Sequence, residues 1–203
     1  DLDVAAVTFS VPIHDDQRIA ENFLLFRESE PVELRSGDPI LLGDSGEYGL
    51  APAAGWQVGS SYTVQISPAV TGPLGVSQPI SWQFQTAVPK VKSRTPDDGD
   101  NSVHIDDNQL KVVFDNKIDE AALLADGGVR LLREGIEIDS SVPSYTASAD
   151  SFTVTFAPLE GLQPGTSYQA IISAAVGGPR APGDFSWRFS TSVPRMESVF
   201  PDS

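Results

Sequence analysis

The sequence predicts an all-β fold built as two tandem β-sandwich domains, and three observations lead there. The chain repeats itself at an offset of 105 to 106 residues. Within each copy, short runs alternate apolar and polar residues with a period of two. Turn residues, 17 Gly and 16 Pro in 203 residues, punctuate those runs.

The repeat is clearest around a turn. Gly55-Trp56-Gln57-Val58-Gly59-Ser60-Ser61-Tyr62 aligns with Gly161-Leu162-Gln163-Pro164-Gly165-Thr166-Ser167-Tyr168, identical at five of eight positions. The register continues through Ile66-Ser67-Pro68-Ala69-Val70 against Ile172-Ser173-Ala174-Ala175-Val176, and through Gly72-Pro73 against Gly178-Pro179. After a one-residue shift, Ser81-Trp82-Gln83-Phe84-Gln85-Thr86 matches Ser186-Trp187-Arg188-Phe189-Ser190-Thr191. The front halves agree through Val7-Thr8-Phe9-Ser10 against Val112-Val113-Phe114-Asp115, and Leu25-Phe26-Arg27-Glu28 against Leu131-Leu132-Arg133-Glu134. Arg195 to Asp202 resembles Lys90 to Asp97, the opening of the second copy. The expected organisation is therefore a sandwich over residues 1–88 that lacks an opening strand, a sandwich over 89–194, and the start of a third repeat over 195–203.

Each strand follows from its alternation. Phe152, Val154 and Phe156 share one face, as do Tyr168, Ala170 and Ile172, then Trp187 and Phe189; in the first copy Tyr62, Val64 and Ile66 do so, then Trp82 and Phe84. Such patterning turns the aromatics to a core and Thr, Gln, Arg and Ser outward. Only Ile118 to Leu124 reads as a short helix, with a weaker counterpart near Arg18 to Glu21. About seven strands in roughly 100 residues describe an immunoglobulin-like sandwich. The stretch from Leu162 to Tyr168, and its copy ending at Tyr62, has the form of a tyrosine corner, in which the phenol bonds backbone a few residues upstream.

These motifs resemble the bacterial Ig-like domains that occur in tandem in secreted and surface proteins. The resemblance rests on Ser93-Arg94-Thr95-Pro96-Asp97-Asp98-Gly99, on Phe9-Ser10 and Phe114-Asp115, on the Leu-x-Pro-Gly-x-x-Tyr corner and on the final Trp-x-Phe-x-Thr strand. Fibronectin type III domains share the corner but carry their characteristic Trp on an early strand, whereas Trp82 and Trp187 lie on the last strand of each copy. The resemblance implies a non-enzymatic spacer, stalk or adhesion module, extracellular or on the cell surface, with the periplasm as a further possibility. Its implied partners are neighbouring repeats of the same chain and a cell-surface or polysaccharide ligand. Two alternative readings are an accessory polysaccharide-binding module of a secreted enzyme and part of a periplasmic macroglobulin-like protein.

Composition excludes other classes. With 13 Lys and Arg against 28 Asp and Glu the formal charge is −15, which argues against nucleic acid and against an anionic membrane surface. There is no Cys, hence no disulfide framework and no thiolate chemistry. No stretch reaches the roughly 18 apolar residues of a membrane span. The two imidazoles, His14 and His104, occupy non-equivalent repeat positions beside acidic turns, and neither neighbourhood holds a Gly-x-Ser-x-Gly elbow, so no catalytic residue is assigned.

One acidic cluster, Asp97, Asp98 and Asp100 followed by Asp106 and Asp107, offers the oxygen ligands Ca²⁺ favours. Its spacing departs from the Asp-x-Asp-x-Asp-Gly loop, and Asx-rich turns account for the same residues. Calcium is the single cofactor the sequence suggests. Trp56 stands at the position of Leu162 and is read as an apolar cap.

Only Ala87-Val88-Pro89-Lys90 separates the two copies, and Pro89 biases Val88 toward extended backbone. The expectation is an elongated pair with limited bending. Small-angle scattering checks it: a compact side-by-side pair is the contrary result.

Overall fold

A computed structural model describes residues 4–196 apart from 12, 15, 19, 38, 43–45 and 72–77. The Gly72-Pro73 match, the charged start Asp1 to Asp3 and the third-repeat segment beyond Met196 lie outside the described residues. The chain divides into two compact units, Asp1–Ala87 and Val88–Ser203.

Unit 1 carries β1 (Ala5–Thr8), β2 (Phe23–Arg27), β3 (Glu30–Val32), β4 (Ile40–Leu41), β5 (Glu47–Leu50), β6 (Ser61–Ile66) and β7 (Ile80–Gln85). Unit 2 carries β8 (Val91–Thr95), β9 (Asp100–Val103), β10 (Leu110–Phe114), α1 (Glu120–Leu124), β11 (Val129–Arg133), β12 (Ile136–Ile138), β13 (Ser144–Ala147), β14 (Phe152–Phe156), β15 (Ser167–Ile172) and β16 (Phe185–Thr191). Each unit has two sheets. In unit 1 they run β1-β5-β4 and β3-β2-β6-β7; in unit 2 they run β13-β14-β10-β8 and β12-β11-β15-β16-β9. The shared strands follow the same order in both units along the sequence repeat, β1 matching β10 and β7 matching β16, down to isolated bridges at Leu34–Pro52 and Ser140–Pro158.

Alternation places the core as the pattern requires. Tyr62, Val64 and Ile66 in β6 are buried, as are Tyr168, Ala170 and Ile172 in β15. Phe23 and Leu25 in β2 meet them in unit 1, and Leu131, Val154 and Phe156 do so in unit 2. The expected helix forms as α1, shorter than the sequence window, because Asp119 caps it by accepting from the Ala122 N–H at 3.0 Å. Its weak counterpart is a single 3-10 turn, Ala20–Asn22.

Two devices recur at matched positions in both units. The β2–β3 and β11–β12 hairpins turn through Glu28-Ser29 and Glu134-Gly135, all four with positive φ, as a two-residue hairpin of primed type needs. The turn glutamates then accept from the first amide of the neighbouring strand, Glu28 Oε1 from Ser61 at 2.7 Å and Glu134 Oε1 from Ser167 at 2.6 Å.

The tyrosine corner is the second device. Tyr62 Oη accepts from the Gln57 N–H at 2.9 Å and Tyr168 Oη from the Gln163 N–H at 2.8 Å. The same glutamine is held on its other side, since Thr86 Oγ1 donates to the Gln57 carbonyl at 2.6 Å and Thr191 Oγ1 to the Gln163 carbonyl at 2.5 Å. Each Thr hydroxyl also accepts a backbone N–H, from Ser60 at 2.9 Å or Thr166 at 3.0 Å. Beneath the clamp the Tyr ring stacks on the last strand, Tyr62 on Phe84 at 5.6 Å and Tyr168 on Phe189 at 5.3 Å.

The opening segment of unit 2 departs from the sequence expectation of one strand. It supplies two, one to each sheet: β8 pairs antiparallel with β10, and β9 pairs parallel with β16. Pro96, whose peptide bond is cis, has no N–H with which to continue the β8 ladder, and Gly99 turns with φ +81° into the second sheet. Among the described residues unit 1 has no counterpart of either strand. Trp82 and Phe84, read as core, are accordingly only half-buried where Trp187 and Phe189 are buried.

The corner bond makes a direct prediction. Tyr168→Phe removes the acceptor and leaves the Gln163 amide unpaired in a half-buried turn, which costs about 1–3 kcal/mol. Chemical denaturation of the full chain checks this, with the loss expected in the unit 2 transition and not in that of unit 1.

Candidate functional site

Unit 2 gathers its polar chemistry at the crossover from β8 to β9. The turn there is built from the acids themselves. Asp98 Oδ1 accepts from the Arg188 N–H at 2.9 Å while the Gly99 N–H donates to the Arg188 carbonyl at 2.7 Å, which ties the turn to β16. Asp98 also pairs with Arg94 at 3.4 Å. Asp100 Oδ1 accepts from both the N–H and the hydroxyl of Ser102, each at 2.9 Å. The Asp97 carbonyl receives the Asp100 N–H at 3.2 Å.

Asp106 faces His104 instead, Oδ2 to Nδ1 at 3.2 Å, and the Asp107 amide donates to the His104 carbonyl. The five acids suggested for calcium therefore fall in two turns, with Asp98 and Asp100 each occupied by local donors. Among the described residues no group of three or more His, Asp or Glu side chains comes together to hold a metal ion.

The imidazoles are surface groups. The His14 side chain is 90 % exposed and lies 3.9 Å from Asp16; that of His104 is 66 % exposed. Among the described residues, Tyr145 Oη and Trp187 Nε1 are buried without a hydrogen-bond partner. Burial pushes the Tyr145 phenol above its ordinary pKa; the Ile118 backbone, near enough to oppose that shift but outside hydrogen-bond geometry, and Glu120, which adds to it, are lesser influences.

Beside the crossover, unit 2 has an open cavity of about 490 Å³. Val91, Val112, Phe185 and Trp187 form its apolar lining, with Arg94 and Arg180 among its polar walls. The Trp187 ring lines this recess while its Nε1 is itself buried. Lys90, Asp184 and Ser186 also line it, and the Asp184 carboxylate is taken up by Arg130 and the Ala174 N–H. Trp56 is an internal residue too: its ring packs edge-on against Tyr62 at 4.8 Å and Phe84 at 5.3 Å. That is the cap role its match with Leu162 implies, Leu162 being buried.

The residues that sequence reasoning missed are the clamp threonines, Thr86 and Thr191, and the turn glutamates, Glu28 and Glu134. All four stand at matched repeat positions, so repetition of a polar residue at the end of an apolar strand was the available signal.

Paired sheets, a corner that joins them and an opening segment shared between both sheets define an immunoglobulin-like β-sandwich. A family model described as a bacterial Ig-like domain matches residues 85–191, a little over half of the sequence. The chain belongs to that family, a non-catalytic type of domain. No curated protein matches the sequence.

Solved structures similar to it include the N-terminal part of the bacterial S-layer protein SbsC, at 20% identity and TM-score 0.35, over 53% of this chain and 24% of that one. The chain thus spans about a quarter of that S-layer fragment. Rst D1-D2 is similar at 13% identity and TM-score 0.37, over 94% of this chain and 92% of the other. A titin fragment is similar at 14% identity and TM-score 0.33, over 96% and 92%. At those scores the family match alone carries the assignment.

Surface histidines and a buried indole give opposite expectations. The double change His14→Gln with His104→Gln alters stability by no more than about 0.5 kcal/mol. Trp187→Ala, which empties a site between the sheets, costs about 3–5 kcal/mol. Thermal and urea unfolding of the two variants checks the contrast.

Proposed function

We propose that this chain is a structural or adhesion module, a spacer or stalk within a larger bacterial surface or secreted protein, and that it is not an enzyme. The observation that supports this most is the duplication itself. The hairpin glutamate, the corner tyrosine and the clamp threonine recur in both units, while neither His and none of the acid clusters does. Selection for a scaffold repeats what holds the fold; a catalytic centre needs particular groups converging once.

A neighbouring repeat of the same protein is the partner this reading implies. The acidic surface suits a solvent-exposed module, and among the described residues no helix is long and apolar enough to cross a membrane.

The test is replacement. In the parent protein on its host cell, residues 1–194 are exchanged for two unrelated β-sandwich domains of similar length, and surface display and attachment of the cells are measured. A spacer tolerates the exchange. Loss of attachment with display intact would assign ligand recognition to these units, and loss of a measured turnover would return them to the enzyme class.

A further inference from the structure

Within unit 2, a pull along the chain enters ahead of β8 and leaves after β16, the first and last strands described there. The entry segment and the exit strand are bonded directly to each other. β9 pairs parallel with β16, Asp100 beside Phe189 and Val103 beside Thr191. Further bonds extend this seam at both ends. At its start the Gly99 N–H donates to the Arg188 carbonyl at 2.7 Å, and Asp98 Oδ1 accepts from the Arg188 N–H at 2.9 Å. At its finish the Ser192 N–H donates to the Val103 carbonyl at 3.0 Å, and the Ser192 hydroxyl donates to the Ser102 carbonyl at 2.9 Å.

Parallel pairing fixes how those bonds are loaded. Tension draws β9 back toward its start and β16 forward past its end. Because the two strands run in the same direction, the pulls oppose each other along the ladder and the strands are sheared. Bonds that lie across the direction of sliding share the load, and those of a parallel pair are evenly spaced along it. A pull applied at one end of the seam would instead break them in turn. Side chains keep water from the middle of the seam, where Val103, Phe189 and Thr191 are 6 %, 1 % and 3 % exposed. A bond strained there has no solvent partner to replace it, and a buried donor or acceptor left unmade is costly.

The seam also joins distant parts of the chain. Arg188 to Asp98 and Ser192 to Ser102 each link positions 90 residues apart. β8 stands ahead of it in the line of tension, held to β10 by an antiparallel ladder of its own. Once β8 is drawn off, the pull passes to the Asp98-Gly99 turn, which is itself bonded to β16. From that point the strands from β10 to β15 are bypassed for as long as the seam holds.

We propose that unit 2 is a tension-resisting module, and that the β9–β16 seam, Asp98 to Val103 against Arg188 to Ser192, is the clamp that sets its resistance. Asp98 and Ser192 contribute side chains to that clamp. As a function, resistance to pulling rests on the spacer reading and deepens it. As a property of the fold it is measured on the molecule alone, so it stands or fails separately from the domain exchange on the cell surface.

The test is single-molecule pulling. The chain has no Cys, so paired cysteines introduced into the full chain fix the handles at chosen points. Lys90→Cys with Arg195→Cys loads unit 2 along its chain and shears the seam. His104→Cys with Arg195→Cys pulls from the end where Val103 and Thr191 meet, and unzips it. Forced unfolding follows the unfolding rate; under the same constant force the sheared arrangement is expected to outlast the unzipped one by about tenfold or more, which is about 1.4 kcal/mol or more at the barrier. On the sheared background, Asp98→Ala with Ser192→Ala removes two side-chain bonds of the seam and shortens the lifetime by about tenfold. Ser141→Ala, which takes an acceptor from the Ala157 N–H outside the seam, leaves that lifetime nearly unchanged. Equal lifetimes in the two handle arrangements overturn the proposal, as does a seam variant whose lifetime under load falls no further than that of Ser141→Ala. The handle comparison decides the matter even where the double variant fails to fold.

Discussion

In each unit, one glutamine peptide ties the corner loop to two neighbouring strands. Its N–H goes to a Tyr hydroxyl on β6 or β15 and its C=O to a Thr hydroxyl beyond β7 or at the end of β16. Either bond alone contributes about 1 kcal/mol net. Together they leave the turn no second conformation in which a partly buried N–H and C=O are both satisfied, so the loop holds a single course. The Tyr ring is then fixed over the final-strand Phe, and the stacked pair becomes the floor on which the rest of each core is assembled. Gly59 and Gly165 allow the chain to make this corner, with φ of +58° and +62°.

A second constraint acts at the opening segment. A sandwich has two sheets and each sheet has edges. In unit 2 a single segment covers an edge of both by changing sheets at Pro96, and the acids that follow are consumed in making that turn. Asp98 reaches across to β16, and Asp100 folds onto Ser102. Two acids of the cluster, Asp98 and Asp100, thus take part in the stitching between layers. The contrast in burial between Val112 and Val7, or Trp187 and Trp82, measures what this stitching does for the core. Identical side chains in equivalent strands differ in exposure because of a neighbour that lies elsewhere in sequence.

The proposed scaffold role rests on what the two units share. The conserved bonding pattern between the two units concerns turns and corners, and its energetic weight falls on holding sheets together. The histidines are exposed beside nearby acids, and the recess of unit 2 is lined by the Trp187 ring, whose Nε1 is buried.

Much of this was legible along the chain. Periodicity of two gave the strands and their inward faces, because side-chain direction alternates by covalent geometry alone. The repeat pointed to two sandwich units, and the Gly-x-x-Tyr spacing gave the corner, since the phenol reaches back only five residues. Tertiary structure decided what depends on distant neighbours. That Thr86 and Thr191 close the clamp, that Glu28 and Glu134 cap the next strand, and that residues 91–103 make two strands in different sheets all require contacts across 25 to 90 residues. Exposure of Trp82 was likewise hidden, because its own strand carries the same Trp-x-Phe pattern as its buried twin. Local sequence dictates which way a side chain points; only the assembled sheets determine whether anything lies there to cover it.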